Sequence, residues 1–179
     1  MPSSPSIAEI HVTPLAEDHI VAPCVFTLGY QKRTIDDYLL ELQRAGIKVL
    51  VDVRETAWSR KPGFSKTALQ QRLAAVGIAY VHASFAGNPR AIRRAASSHE
   101  ECLQGYSDHL NRNDGVLEAF DQLMMQWAKA GAPVCLLCYE RHPNDCHRSI
   151  LLSAWVGSRC PSVQVKHMGQ DGAPRLPAL

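Results

Sequence analysis

Hydrophobic positions along the chain keep two rhythms in turn. Nearly continuous apolar runs occur at residues 25–28, 47–53, 78–81 and 133–139. Such runs, rich in β-branched residues, predict strands covered on both faces. Between them the spacing becomes helical. Ile35, Tyr38, Leu39 and Leu42 follow Thr34, a helix cap with Asp37 at the capping-box offset, and Gly46 stops them. Leu69, Leu73 and Val76 mark a second helix, capped by Ser65 and ended by Gly77. A basic group, Arg90, Arg93 and Arg94, falls on a short helix. A longer helix around residues 100–110 is expected to end before Asn113-Asp114-Gly115. Val116, Phe120, Leu123, Met124 and Trp127 then share one helical face, read as core, up to Gly131. Ile150, Leu151, Ala154 and Trp155 line the last helix, and residues 163–168 alternate weakly as a final strand.

This order predicts an α/β fold, a single three-layer domain over residues 23–168. Its mainly parallel sheet of about five strands is flanked by helices, Rossmann-like or flavodoxin-like. Residues 1–22 read as a mobile N-terminal arm and 169–179 as a C-terminal tail, with a turn at Asp171-Gly172. In such sheets ligands bind beyond the carboxyl ends of the strands. Gly29-Tyr30, Asp52, Arg54, His82, Glu140 and His167 are therefore expected on one rim.

Composition narrows the picture. The 179 residues are 46% hydrophobic and 20% charged, with a formal net charge of +2. That is a globular composition whose bulk charge demands no nucleic-acid partner. No apolar run is long enough to span a bilayer, and the N-terminus lacks a secretory pattern, so a cytoplasmic address is expected. The six cysteines are then expected as free thiols, with Cys24, Cys102 and Cys135 packing as small hydrophobes.

The densest chemistry lies in Cys138, Glu140, Cys146, His147 and Arg148. A strand–loop–helix junction puts Cys146 at a helix start, where the dipole and Arg148 or a protonated His147 favour a thiolate. Such a thiol is a candidate nucleophile; the same helix start is also a candidate anion site. A capping cluster without chemistry is the plain alternative. Metal is a further one. Cys135 and Cys138 have C-x-x-C spacing, but residues three apart in a strand face opposite sides, which argues against a zinc knuckle. Cys138, Cys146 and His147 can still meet at one rim. Asp52 reads either as a general base or as the partner of Arg54 in a salt bridge closing the strand, and Arg54 otherwise as an anion clamp. Glu140 reads as an acid–base group or a solvated charge. The loop Trp58-Ser-Arg-Lys-Pro-Gly-Phe64 interleaves aromatics with cations, as a nucleotide or single-stranded nucleic-acid site does; inward-packed rings are the alternative.

The chain resembles the family called domain of unknown function 488. The resemblance runs through Thr27-Leu-Gly-Tyr30, Leu50-Val-Asp-Val-Arg54, Ser59-Arg60, Gly63-Phe64-Ser65 and Gly77-Ile-Ala-Tyr80. It resumes at Leu136-Leu-Cys-Tyr-Glu140, Cys146-His-Arg148 and Val165-Lys-His167. It implies a compact α/β protein with signature positions at Asp52, Arg54, Ser59, Arg60, Cys138, Glu140, Cys146, His147 and Arg148, and it supplies no activity. One departure stands out: Phe85-Ala-Gly-Asn88 replaces the family's Leu-Gly-Gly turn.

The expectation is an enzyme, of transferase or hydrolase type, that binds a phosphorylated, nucleotide-like or nucleic-acid-like ligand. Asp52, Glu140, Cys146 and His147 would carry its chemistry. Tyr30, Arg54, Ser59, Arg60, Cys138 and Arg148 would hold the ligand. A non-catalytic nucleotide or nucleic-acid module, and a metal protein using Cys138, Cys146 and His147, are the alternatives. No cofactor and no oligomeric state follow from the sequence.

Overall fold

The structure, a computed structural model, describes residues 24–169. The segments read as arm and tail lie outside these residues, apart from Gly169. Five strands, β1 (Cys24–Gly29), β2 (Val49–Asp52), β3 (Ala79–His82), β4 (Val134–Cys138) and β5 (Gln164–His167), form one sheet ordered β3-β2-β4-β1-β5. Every pairing is parallel. The expected α/β class and strand count hold.

Six helices cover the sheet: α1 (Ile35–Arg44), α2 (Lys66–Ala74), α3 (Arg90–Ala95), α4 (His99–Arg112), α5 (Asp114–Lys129) and α6 (His147–Ser158). The pleat divides the core between two layers. Val49, Val51, Leu136 and Cys138 face Tyr106, Phe120, Met124, Leu151 and Trp155 of α4, α5 and α6. Leu50, Cys135 and Leu137 face Tyr38, Leu42, Leu69 and Leu73 of α1 and α2. Truncating such a buried leucine to alanine costs about 2–5 kcal/mol. Among the described residues no helix is long and apolar enough to cross a membrane.

Local details both follow and depart from the pattern. Thr34 caps α1, its Oγ1 accepting from the Asp37 amide at 3.1 Å. Ser65 stands at the start of α2 but does not cap it; its hydroxyl donates to the Ser59 carbonyl at 3.0 Å. Asp114-Gly115 opens α5 rather than separating it from α4, because Asn113 alone makes the bend. Leu152 joins Leu151 and Trp155 in the buried face of α6. All six cysteines are free thiols; Cys135 is buried, whereas Cys24 and Cys102 are only half-buried.

Candidate functional site

The carboxyl edge of the sheet gathers what the sequence scatters. β4 lies between β2 and β1, so its exit loop runs over the middle of that edge. A single turn of 3₁₀ helix at Pro143–Asp145 then leads to Cys146, the residue before α6. The loop rests on β1 itself. A Cβ on Gly29 would stand 1.7 Å from the Glu140 carbonyl oxygen, so no side chain fits there. Arg148, 1% exposed, fastens the loop from beneath. It donates to the carbonyls of Glu140 at 2.7 Å and Arg141 at 3.2 Å, and to Thr27 Oγ1 at 3.3 Å.

On this support Cys138 Sγ, Cys146 Sγ, His147 Nδ1 and a Glu140 carboxylate oxygen all lie within 4.8 Å of one another. Cys138 Sγ is 3.1 Å from Glu140 Oε2 and 3.4 Å from His147 Nδ1, which is 4.0 Å from Cys146 Sγ. In a tetrahedral site with metal–sulfur bonds of about 2.3 Å, ligand atoms are about 3.8 Å apart. The three spacings bracket that value. His147 Nε2 is 2.9 Å from the Val53 carbonyl oxygen, and a carbonyl only accepts, so Nε2 carries the hydrogen. The Nδ1 lone pair is thereby turned towards the thiols, as the backbone-anchored histidines of metal sites are. Tyr106 packs edge-on against the imidazole, ring centroids 5.2 Å apart, with its hydroxyl tied to the Ala86 carbonyl.

The helix-start argument for an acidic Cys146 is reversed. Burial first, and then neighbouring Cys138, push this thiol well above its ordinary pKa; His147 opposes them without prevailing. The residue is 1% exposed, and burial outweighs the dipole. Burial also acts to raise Glu140, but hydrogen bonds from Cys146 and Cys138 prevail and hold its carboxyl below the usual range. Burial alone would lower His147; Cys146, the Val53 carbonyl and Glu140 carry it above instead.

Cys138, Glu140, Cys146 and His147 lie within the part of the chain that a family model matches. The family model described as "Domain of unknown function DUF488" matches residues 34–155, from the cap of α1 into α6. The chain belongs to the DUF488 family. No curated protein and no solved structure matches it.

Beside the cluster in this DUF488 chain lies a second polar group of different character. Asp52, fully buried, takes two bonds from Arg54, Nε to Oδ1 at 2.8 Å and Nη2 to Oδ2 at 2.6 Å. Tyr80 donates to the same Oδ2 at 2.7 Å. Arg54 Nη1 donates to the Tyr30 hydroxyl at 2.9 Å, and His82 Nε2 donates to the Arg54 carbonyl at 2.9 Å. Burial acts to lower the Arg54 pKa, but Asp52 and Tyr30 outweigh it and leave it raised. The salt-bridge reading of this pair thus describes its geometry.

A cleft of about 590 Å³ opens over both groups. Tyr30, Arg54, Cys138, Glu140 and His147 line it. Among the other expected ligand-holding residues, Ser59 is tied into its own loop: its amide donates to Ser65 Oγ at 3.1 Å, and its Oγ accepts from the Lys61 amide at 3.1 Å. Arg60 is exposed outside the cleft lining, and Arg148 is spent on the loop. His167 reaches the rim beneath Arg148, its Nδ1 2.8 Å from Thr27 Oγ1.

Sequence reasoning missed Thr27, Tyr80 and Asn88. Thr27 is a hydroxyl in the middle of an apolar strand, which is itself a signal that something buried needs it. Tyr80 pairs with Leu50 across β2 and β3, two residues short of Asp52, a relation that appears only once strand order is known. Asn88 belongs to the departing turn. Gly87 there passes so close to Glu55 that a Cβ would lie 2.1 Å from the Glu55 amide nitrogen.

Proposed function

We propose that this protein is a metal-binding enzyme of hydrolase type, with a zinc-like ion held by Cys138, Cys146 and His147. Glu140 supplies either the fourth ligand or the acid–base group for a bound water. The observation that carries the reading is the convergence of two thiol sulfurs, an imidazole nitrogen and a carboxylate oxygen on one point. Sulfur and nitrogen donors in that number suit zinc among the common divalent ions. The ion would supply Lewis acidity and lower the pKa of a bound water. Cys138, Glu140 and His147 face the cleft, which gives a ligand access from one side. Free thiols at such a site go with a reducing compartment such as the cytoplasm.

The thiol-nucleophile reading makes the opposite demand of Cys146, because a nucleophile must touch its substrate. At 1% exposure, and outside the cleft lining, Cys146 serves better as a ligand than as an attacking group.

Elemental analysis after reconstitution with zinc tests the proposal. One zinc per chain is expected, lost in Cys146→Ser and His147→Ala and retained in Cys135→Ser, whose thiol faces the other layer. Absence of stoichiometric metal after reconstitution, or zinc retained in both cluster variants, would sink it.

A further inference from the structure

We infer that the cleft above the cluster binds a nucleobase-bearing phosphate ester, with its ring on Trp58 and Tyr139 and its phosphate on Arg90. The inference rests on the metal-centre reading only in taking the cluster as the floor of the site. Its own evidence comes from the walls.

Trp58 is 64% exposed and Tyr139 is 46% exposed, and both line this cleft. The loop carrying Trp58 is not loose. Its backbone is fastened by the Lys66 amide on the Ala57 carbonyl at 2.8 Å and by the Ser59–Ser65 exchange. In the same loop Phe64 turns inward, fully buried and stacked on Tyr30 with centroids 4.3 Å apart. One aromatic of a fixed loop is thus spent on the core, while the other is left outside. Tyr139, packed edge-on against Tyr30, follows Cys138 directly and so stands next to the floor. Aromatic rings held in this way stack on bases, each of which has a π-face.

Polar groups in the same walls suit the rest of such a ligand. Asn88 is 6% exposed and lines the cleft; its Nδ2 donates to Cys102 Sγ at 3.3 Å, while its Oδ1 has no donor. Arg93 is committed to Glu55 and to the Asn88 carbonyl. The Arg90 amide donates to Glu55 at 3.0 Å, but its guanidinium has no hydrogen-bond or ion-pair partner among the described residues. A guanidinium that makes no bond of its own, and feels Glu55 of the same wall only at longer range, suits a phosphate, which it can grip with two parallel bonds.

Isothermal titration calorimetry on the zinc-loaded full chain tests this with AMP, CMP, adenosine, ribose phosphate and a short single-stranded oligonucleotide. AMP or CMP is expected to bind more tightly than adenosine, and ribose phosphate far more weakly than either nucleotide. Trp58→Ala should weaken nucleotide binding roughly tenfold to a hundredfold, with Trp58→Phe close to wild type. Arg90→Ala should bring AMP down to the level of adenosine and leave adenosine unchanged. An oligonucleotide that outcompetes the mononucleotides, with the same losses in both variants, would support the same chemistry and put the base in a polymer. Ribose phosphate binding as well as AMP, or AMP affinity indifferent to Trp58→Ala, would overturn the inference. Nucleotide binding without stoichiometric zinc removes the metal reading alone; zinc binding without nucleotide binding removes this one alone.

Discussion

Two buried polar groups share the carboxyl edge of the sheet and meet at Val53, yet they differ in kind. In the first, Asp52, Arg54, Tyr30 and Tyr80 answer one another: both carboxylate oxygens have donors, and Nε and both terminal nitrogens of the guanidinium have acceptors. In the second, Cys138, Glu140, Cys146 and His147 each bring one metal-ligating atom within 4.8 Å of the others, and the Cys138 thiol donates to the Glu140 carboxylate at 3.1 Å. The arginines repeat the contrast. Arg54 has a carboxylate, whereas Arg148, also buried, has two carbonyls and a hydroxyl and no salt bridge among the described residues. A polar group that satisfies itself holds a fold together. One that gathers two thiols, an imidazole and a carboxylate offers donors a cation can use once the thiols give up their protons.

Four changes break or sharpen this contrast. The largest effect is expected from Asp52→Asn, which leaves Arg54 buried beside a neutral amide. Unfolding free energy should fall by about 3–5 kcal/mol in urea denaturation, with zinc stoichiometry intact in the folded fraction. A loss below about 1 kcal/mol would mean that the pair is not structural. Next, zinc at a hundredfold excess over its Kd should stabilise the wild type by about 2.7 kcal/mol. Cys146→Ser should gain nothing, and equal gains in thermal melts of the two proteins would place the ion elsewhere. Tyr80→Phe removes one bond to a charged acceptor, for a loss of about 1.5–3 kcal/mol, and should leave zinc affinity alone.

The smallest effect is a pH dependence. Burial first, and Arg148 second, hold His167 below its ordinary value of 6.5. As pH falls, the unfolded chain therefore takes up this proton before the folded one does. The contribution is present above the unfolded value and is lost as pH drops through it towards the lower folded value. His167→Gln should flatten that part of the stability curve; an identical acid limb in the variant would remove His167 as its cause.

Much of the fold was legible because local pattern and burial agree. Residues 49–51 and 134–138 are apolar at successive positions, and the structure buries every one of them. The C-x-x-C spacing was legible by the same logic: Cys135 and Cys138 fall in different layers because the pleat has period two. The rim was legible as a set of strand ends. Strand order was not, since periodicity within a run carries no information about its neighbours. Hence Tyr80 and the place of the β4 loop could not be foreseen. The loop after β2 was half legible: inward packing describes Phe64 and not Trp58. Cys146 misled for another reason. A helix start reads from sequence as a cationic environment, but the degree of burial, which decides the sign, belongs to the tertiary structure.

Arg148, an arginine bonded to carbonyls and a hydroxyl rather than to a carboxylate, has a consequence for ion valence. On the metal-centre proposal, two thiols deprotonated by the ion and the Glu140 carboxylate would bring three negative charges; a divalent cation would leave one uncancelled, and Arg148, buried and bonded to the Glu140 carbonyl, is a nearby positive charge. A monovalent or trivalent ion in the same place would leave a residual charge away from water. On that proposal, the surroundings of the cluster would select by oxidation number as well as by donor type.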